Sequence, residues 1–250
     1  MTSALSHGRL HFSGDAPASA LFVHGGFHGA WCWSQTLAFL AARNAAGAAI
    51  DLRGHGGLPQ DGSFLSAGVD VMTQDVLEAM RKVSAPILVG HSLGALIAMK
   101  AATQVPLRGL ILLAPAAPSG VTQGHPLPRF PAGHAVQPPA RARARKWFMA
   151  GAAAPEMTSY LAQLCPESPA LLNECFHDGV TIERAALSCP ILCLSGAKDD
   201  SPLHPRGQDR LVAAHYGAAL KIIEPSGHCL MLDDGWRETA AAIHTWMTAL

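Results

Sequence analysis

The sequence has 250 residues, of which 49% are hydrophobic and 14% charged, enough apolar material to bury the core of one α/β domain. Lysine plus arginine and aspartate plus glutamate number 18 each, so charge gives no reason to expect nucleic acid or an anionic membrane as partner. No apolar run is long enough to cross a bilayer, and residues 1–15 do not resemble a signal peptide. We therefore expect a cytoplasmic monomer or homodimer that acts on a small molecule.

The cysteines give no sign of a metal site or a disulfide framework. Six are present, and they are scattered without the paired C-x-x-C spacing of zinc sites. We expect free, mostly buried thiols in a reducing compartment. No metal and no cofactor is predicted.

Strand and helix patterns alternate through the first 114 residues. After a predicted edge strand or hairpin at 7–13, each strand is a continuous apolar run, which is typical of a parallel sheet covered on both faces. A helical pattern of apolar residues follows most of these runs. The predicted order is strand 18–23, helix 30–46, strand 48–52, helix 66–83, strand 86–90, helix 93–100 and strand 108–114.

The alternation stops between residues 115 and 187. Ten of the 18 prolines lie between Pro115 and Pro169, and short helical patterns cover 141–154 and 155–174. We interpret residues 115–187 as a cap or lid inserted into a core made of 1–114 and 188–250. The core is predicted to finish with strand 190–195, helix 207–216, strand 220–224 and helix 233–250.

The motif Gly90-x-Ser92-x-Gly94 lies between an apolar strand and a helical pattern. This is the spacing of a nucleophile elbow, in which a serine sits on a tight strand-to-helix turn. Such a turn crowds the residues two positions away, so both of them must be small. A glycine-rich turn without chemistry is the alternative. The strand before it, the helix after it and the partner residues below favour a nucleophile.

A serine nucleophile needs a base and an acid that orients the base, and in a parallel α/β sheet these follow strand ends. Asp199 and Asp200 follow strand 190–195, and His228 follows strand 220–224. The chain order serine, aspartate, histidine fits this scaffold. The spacing from Gly196 favours Asp199 as the acid, and Asp200 is the rival. We predict Ser92, Asp199 and His228 as catalytic residues.

Acyl transfer also requires N–H donors for the developing oxyanion. We predict the backbone N–H groups of Leu93, directly after the nucleophile, and of Gly26, in the loop after strand 18–23. His24 is interpreted as a structural hydrogen-bonding residue. Candidate substrate-binding residues are His28, Phe27, Trp147, Arg141 and Arg145.

These motifs together resemble the α/β-hydrolase superfamily over essentially the whole chain. Residues 24–33, HGGFHGAWCW, are similar to the HGxxHGxWxW opening of its methylesterase and hydroxynitrile lyase branch. Residues 51–56, DLRGHG, and 226–228, SGH, match two further segments of the superfamily. The resemblance implies an α/β-hydrolase fold: a mostly parallel central sheet with helices on both faces and a helical cap insertion.

Departures from particular branches of the superfamily narrow the chemistry. Ser92 stands where epoxide hydrolases and haloalkane dehalogenases carry aspartate. Plant-type hydroxynitrile lyases carry threonine in place of Gly25 and lysine directly after the catalytic histidine, where this chain has Cys229. The resemblance therefore favours hydrolysis over cyanohydrin cleavage.

The functional hypothesis is a carboxylesterase-like serine hydrolase that cleaves a carboxylic ester, thioester or lactone of a small to medium molecule. The alternatives are a C–C bond hydrolase on a vinylogous diketone, and a lyase or cyclase with the same triad. A non-enzymatic small-molecule receptor is a further alternative.

The predicted cap carries a local charge asymmetry. Residues 116–150 include five basic residues and no acid. Arg141 and Arg145 are one helical turn apart, so they could attract an anionic group of the substrate. A solvated helix face is the alternative interpretation.

Overall fold

The computed structural model describes residues 1–14, 17–83, 87–122, 127–153 and 156–250. Within these described residues, eight strands form one sheet in the order β1-β2-β4-β3-β5-β6-β7-β8. Strand β2 is antiparallel to both of its neighbours, and the other pairings are parallel. The strands are β1 (Thr2–Ala4), β2 (Arg9–Phe12), β3 (Ala20–Val23), β4 (Gly47–Asp51), β5 (Ile87–His91), β6 (Gly109–Leu113), β7 (Ile191–Gly196) and β8 (Ala219–Ile223).

Helices cover the sheet. Every residue of β3, β4, β5 and β6 is buried, and because side chains alternate between the two faces of a strand, both faces must be covered. This confirms the predicted architecture. The helices are α1 (Ser34–Ala41), α2 (Gly62–Leu65), α3 (Val69–Lys82), α4 (Leu93–Ala102), α5 (Arg141–Phe148), α6 (Met157–Gln163), α7 (Pro169–Asn173), α8 (Gln208–Tyr216) and α9 (Trp236–Ala249).

Some predicted boundaries differ from the structure. The helix expected over 30–46 is a 3₁₀ turn at Ala30–Trp33 followed by α1, and the chain leaves the helix before Asn44, which has φ 57°. A positive φ interrupts helical hydrogen bonding, so the pattern of apolar residues outlasts the helix. The start of the predicted strand at Pro86 lies outside the described residues.

The described part of residues 115–187 contributes no strand to the sheet. It carries α5, α6 and α7, and an isolated antiparallel bridge joins Val136 to Glu167. These helices are shorter than the predicted patterns, and residues 154 and 155, where the two patterns met, lie outside the described residues. A proline-rich segment supports only short helices because proline lacks the N–H that helix interiors need.

The parallel strands bring their carboxyl ends to one edge of the sheet. The loops after β3, β5, β7 and β8 therefore meet there, and they carry all of the residues predicted for catalysis. In the part of the chain that the structure describes, no helix has the length and hydropathy needed to cross a membrane.

Candidate active site

Ser92 lies on a sharp turn between β5 and α4. Its backbone has φ 53° and ψ −119°, a conformation that non-glycine residues rarely adopt. A Cβ atom at Gly90 would lie 2.5 Å from the Cα of Ala95, and one at Gly94 would lie 2.1 Å from the carbonyl oxygen of His24. Glycine is therefore required on both sides of the serine, as the motif predicts.

Ser92, His228 and Asp199 form one hydrogen-bonded row. Ser92 Oγ is 3.0 Å from His228 Nε2, and His228 Nδ1 is 2.8 Å from Asp199 Oδ2. His228 and Asp199 are both 95% buried, whereas Ser92 is partly exposed to a cavity. With Nδ1–H donating to the carboxylate, Nε2 is free to accept the serine proton.

The rival acid, Asp200, is not in this row. Its side chain is 55% exposed and makes an ion pair with Arg206 at 3.4 Å. Asp199, one residue earlier, points inward to His228. The structure thus brings Asp199 rather than Asp200 to the histidine.

The loop that carries His228 is held by Asp233, a residue that the sequence analysis did not single out. Asp233 accepts hydrogen bonds from the hydroxyl of Ser226 at 2.8 Å and from the N–H of Gly227 at 2.6 Å. Burial raises the pKa of Asp233 despite these hydrogen bonds. From the other side, His91 Nε2 lies 3.0 Å from the carbonyl oxygen of His228. The sequence feature that could have pointed to Asp233 is its position as an acid five residues after His228.

The loop after β3 packs directly on the serine turn. A Cβ atom at Gly25 would lie 3.0 Å from Cβ of Ser92, and one at Gly26 would lie 2.8 Å from Cδ1 of Leu93. A side chain at either position would force a neighbouring residue to move, so glycine favours this close approach. Gly26 and Leu93 border the same cavity as Ser92, where the predicted oxyanion donors are needed.

A buried ion pair holds this loop against the 115–187 segment. Phe27, with φ 65°, donates its N–H to Glu167 Oε2 at 3.1 Å, and His55 Nε2 is 3.1 Å from the same oxygen. Burial alone would raise the pKa of Glu167, but the charge of His55 and hydrogen bonding lower it on balance. Because 140 residues separate Phe27 from Glu167, no local pattern indicated this contact.

Two further histidines of the loop are buried and neutral. His24 Nδ1 donates to the carbonyl of Gly25 at 2.9 Å, and its Nε2 accepts the N–H of Leu52 at 3.2 Å, as expected of a structural residue. His28 Nδ1 donates to the carbonyl of Gly26 at 2.7 Å, and Tyr160 donates to its Nε2 at 2.9 Å. Burial is the main cause that lowers the pKa of His24 to about 3 and of His28 to about 4.

We expect the protein to lose stability as the pH falls below 6.5, the ordinary histidine pKa. Between that value and the lowered pKa values of His24 and His28, the unfolded chain binds more protons than the folded one. At pH 5 each ring subtracts on the order of 2 kcal/mol from the free energy of unfolding. The urea midpoint at pH 5 should therefore lie below that at pH 7.

His204 and His55 offset only part of this loss, and His91, whose pKa is lowered, adds to it. The pKa of His55 is raised and that of His204 is raised to about 9, so the stability they contribute is fully present below pH 6.5 and is lost as the pH rises through their raised pKa values. His28→Gln should make the midpoint depend less on pH between 7 and 5. An equal or higher midpoint at pH 5 in the wild-type protein would contradict neutral burial of these rings.

A cavity of about 240 Å³ lies over Ser92 and His228. Its walls are mostly apolar, and many of them come from the 115–187 segment. Three of the five candidate substrate-binding residues border it: Phe27, His28 and Trp147.

The two candidate arginines do not border the cavity. Arg145 donates to the carbonyl oxygens of Met149 and Ala152, at 2.5 and 2.8 Å, and Arg141 is exposed. The arginine of α5 that borders the cavity is Arg143, whose guanidinium carbon lies 5.9 Å from the ring centroid of Trp147. Arg143, rather than Arg141 or Arg145, is therefore the arginine of α5 that is placed to contact a substrate in this cavity.

Among the residues that the structure describes, one group of side chains has the spacing of metal ligands. Atoms of Asp199, His204 and His228 lie within 4.8 Å of one another. Two of these residues make the hydrogen bond between His228 Nδ1 and Asp199 Oδ2. We therefore interpret the group as two residues of the candidate triad with His204 at ion-pair distance from Asp199.

Comparison with known proteins identifies the family. The model of the alpha/beta hydrolase family matches residues 20–242. The chain belongs to that family. The resemblance inferred from the motifs and the fold it implied are both confirmed.

Among relatives of this α/β-hydrolase, the probable esterase PIR7A of Oryza sativa subsp. indica is 35% identical over 86 residues, 33% of this chain and 32% of that protein. The esterase PIR7B of Oryza sativa subsp. japonica is 32% identical over 95 residues, 35% of this chain and 34% of that protein. The chain thus matches these curated relatives over about a third of their length. The methylesterase MES16 from Arabidopsis shares the fold, with a TM-score of 0.75 and 20% identity over 93% of this chain and 100% of that chain.

Proposed function

We propose that this α/β-hydrolase cleaves a carboxylic ester, thioester or lactone through an acyl-enzyme on Ser92. The observation that carries the proposal is the row from Ser92 Oγ to His228 Nε2 at 3.0 Å and from His228 Nδ1 to Asp199 Oδ2 at 2.8 Å, beside a cavity. The relatives named as esterases support the same class of reaction.

The row of residues supports a two-step mechanism. Ser92 Oγ attacks the carbonyl carbon while its proton passes to His228 Nε2, and the charge of Asp199 stabilises the imidazolium that forms. The N–H groups of Gly26 and Leu93 hold the oxyanion. His228 then gives the proton to the leaving oxygen or sulfur, and the acyl group remains on Ser92. In the second step His228 Nε2 takes a proton from water while the water oxygen attacks the acyl carbon. The bond from that carbon to Ser92 Oγ then breaks, His228 returns the proton to Oγ, and the acid leaves.

The residue after the catalytic histidine favours hydrolysis over cyanohydrin cleavage. Cys229 is fully buried, with Sγ 3.6 Å from His28 Nε2 and 3.9 Å from the hydroxyl of Tyr160. Burial is the main cause that raises its pKa well above the ordinary value, so the thiol stays neutral. No cation stands at this position to receive a cyanide leaving group.

An activity panel tests the proposal. We expect p-nitrophenyl esters with short to medium acyl chains to be hydrolysed, because the cavity of about 240 Å³ is mostly apolar. A lactone, a thioester and a vinylogous diketone should be assayed beside them. Faster cleavage of the diketone than of any ester would instead favour a C–C bond hydrolase, and tight binding without turnover would favour a receptor.

Arg143 is expected to favour substrates that carry an anionic group. Arg143→Gln should lower kcat/KM several-fold for an ester with a distal carboxylate at low salt, since an exposed cation that borders the cavity attracts anions. A neutral ester of the same shape should be affected less than twofold. At about 0.5 M salt the difference between the two substrates should shrink.

Arg141→Gln is the matched control, because Arg141 is exposed on the same helix and does not border the cavity. It should leave kcat/KM for both esters unchanged. An equal fall in kcat/KM in the two variants, or an equal fall for the two esters, would show that Arg143 does not recognise the anionic group of the substrate.

A further inference from the structure

A second imidazole lies behind the acid of the triad. His204 is 98% buried, and its Nε2 is 3.5 Å from Asp199 Oδ2 and 3.0 Å from Asp209 Oδ1. Asp199 Oδ2 is also the atom that bonds His228 Nδ1. His204 Nε2 therefore lies at ion-pair distance from both Asp199 and Asp209, on the side of Asp199 away from Ser92.

The fold holds the ring of His204 in place. A tight turn after β7 joins Ser201 and His204 by two backbone hydrogen bonds, of 3.0 and 3.1 Å. The side-chain amide of Gln208, in the first turn of α8, lies 2.9 Å from His204 Nδ1 and 2.8 Å from the carbonyl oxygen of Pro115. Because Nδ1 faces this amide, Nε2 faces the two carboxylates.

His204 also separates two buried acids. Asp199 and Asp209 are 5% and 2% exposed, and both lie within 3.5 Å of the same nitrogen. Two buried carboxylates so close to each other cannot both stay ionised at low cost without a cation between them. The charges of Asp209 and Asp199 outweigh the effect of burial and raise the pKa of His204 to about 9.

Other charged groups near His204 are more exposed or already paired. Arg206 and Arg210 border the outer cleft beside it, and Arg206 pairs with the exposed Asp200. On the inner side lies the ring of His228, with its centroid 5.1 Å from that of His204. Beyond it is His91, a buried ring whose pKa is lowered well below the ordinary value, chiefly by burial.

We propose that His204, itself held by Asp209, is a positioning residue for the triad: it fixes Asp199 against His228 and balances the charge of the second acid. The proposal rests on the proposed roles of Ser92, His228 and Asp199. His204 does not touch the reacting atoms, so its effect on catalysis passes through Asp199.

Charge-changing variants should move the acid limb of the pH profile of kcat/KM in opposite directions. His204→Gln keeps an N–H donor but removes the cation, so more negative charge faces His228 and the limb moves to higher pH. Asp209→Asn removes a negative charge, so the limb moves to lower pH. We expect shifts of about half a pH unit or more, a fall in kcat of about tenfold or more, and KM changed less than about threefold.

The deciding experiment is an NMR titration of the His228 ring in ¹⁵N-histidine-labelled protein, with His228→Gln used to assign its signal. The wild type, His204→Gln, Asp209→Asn and the control Asp200→Asn are compared. The midpoint should rise in the first variant, fall in the second and stay unchanged in the control. Either of the first two variants alone suffices if the other fails to fold.

Equal midpoints in all four proteins would overturn the proposal and leave His204 as a packing residue. Midpoints that shift in the same direction in His204→Gln and Asp209→Asn would also overturn it, because a general loss of packing produces that result. The titration needs no substrate. A wild type that hydrolyses nothing therefore argues against the proposed function, while the titration still decides the role of His204.

Discussion

Replacing Ser92 with alanine is expected to lower kcat for ester hydrolysis by about 10⁴-fold or more, leaving only the slow reaction that the oxyanion donors support. The reason is geometric: Ser92 Oγ is the hydroxyl that lies 3.0 Å from His228 Nε2 beside the cavity. Without it, the imidazole has no protein nucleophile to activate. Steady-state kinetics on the best p-nitrophenyl ester of the activity panel measure the effect.

The fold should survive this substitution. Alanine keeps the Cβ atom, so the turn at φ 53° carries the same backbone strain as before. The thermal unfolding midpoint should change by no more than a few degrees. Ser159→Ala, an exposed serine on α6, is the matched control and should retain full activity. Near wild-type kcat in folded Ser92→Ala would refute the assignment of the nucleophile.

Asp199→Asn is expected to lower kcat by about 10³- to 10⁴-fold, because an amide neither stabilises an imidazolium nor holds the required tautomer. The neighbouring change, Asp200→Asn, should alter kcat less than twofold, since Asp200 is 55% exposed and makes its ion pair with Arg206. The two variants differ by one position in the chain, so each controls for the other.

Both aspartate variants should be assayed at pH 7 and pH 9 with the same ester. A larger loss in Asp200→Asn than in Asp199→Asn would reverse the assignment of the acid. An equally small fall in kcat in both variants would show that hydrolysis does not depend on a charged acid at either position.

The architecture and the order of the candidate triad could be predicted from local sequence. Apolar runs identify buried parallel strands, and such strands deliver the residues after them to one edge of the sheet. Because of that geometric rule, the sequence alone predicts that Ser92, Asp199 and His228 lie close together although they are far apart in the chain. The glycines beside Ser92 carried their own signal, because only a residue without a side chain fits there.

Contacts that depend on helix orientation or on distant chain segments could not be predicted. On α5, Arg141 and Arg145 have the same spacing as Arg143 and Trp147. Spacing alone therefore does not predict which of the two pairs faces the cavity. Burial of Ala144 and Phe148 sets the rotation of that helix, and it turns Arg143 to the cavity. The ion pair of His55 and Glu167 likewise joins segments 112 residues apart.

The most direct test of the account is covalent labelling with a fluorophosphonate, which reacts with a serine that a neighbouring imidazole activates. Intact-mass measurement should find a single adduct on the wild-type protein, peptide mapping should locate it on Ser92, and Ser92→Ala should gain none. A folded wild type that stays unlabelled, or a Ser92→Ala variant that gains the same adduct, would contradict a serine nucleophile at this site.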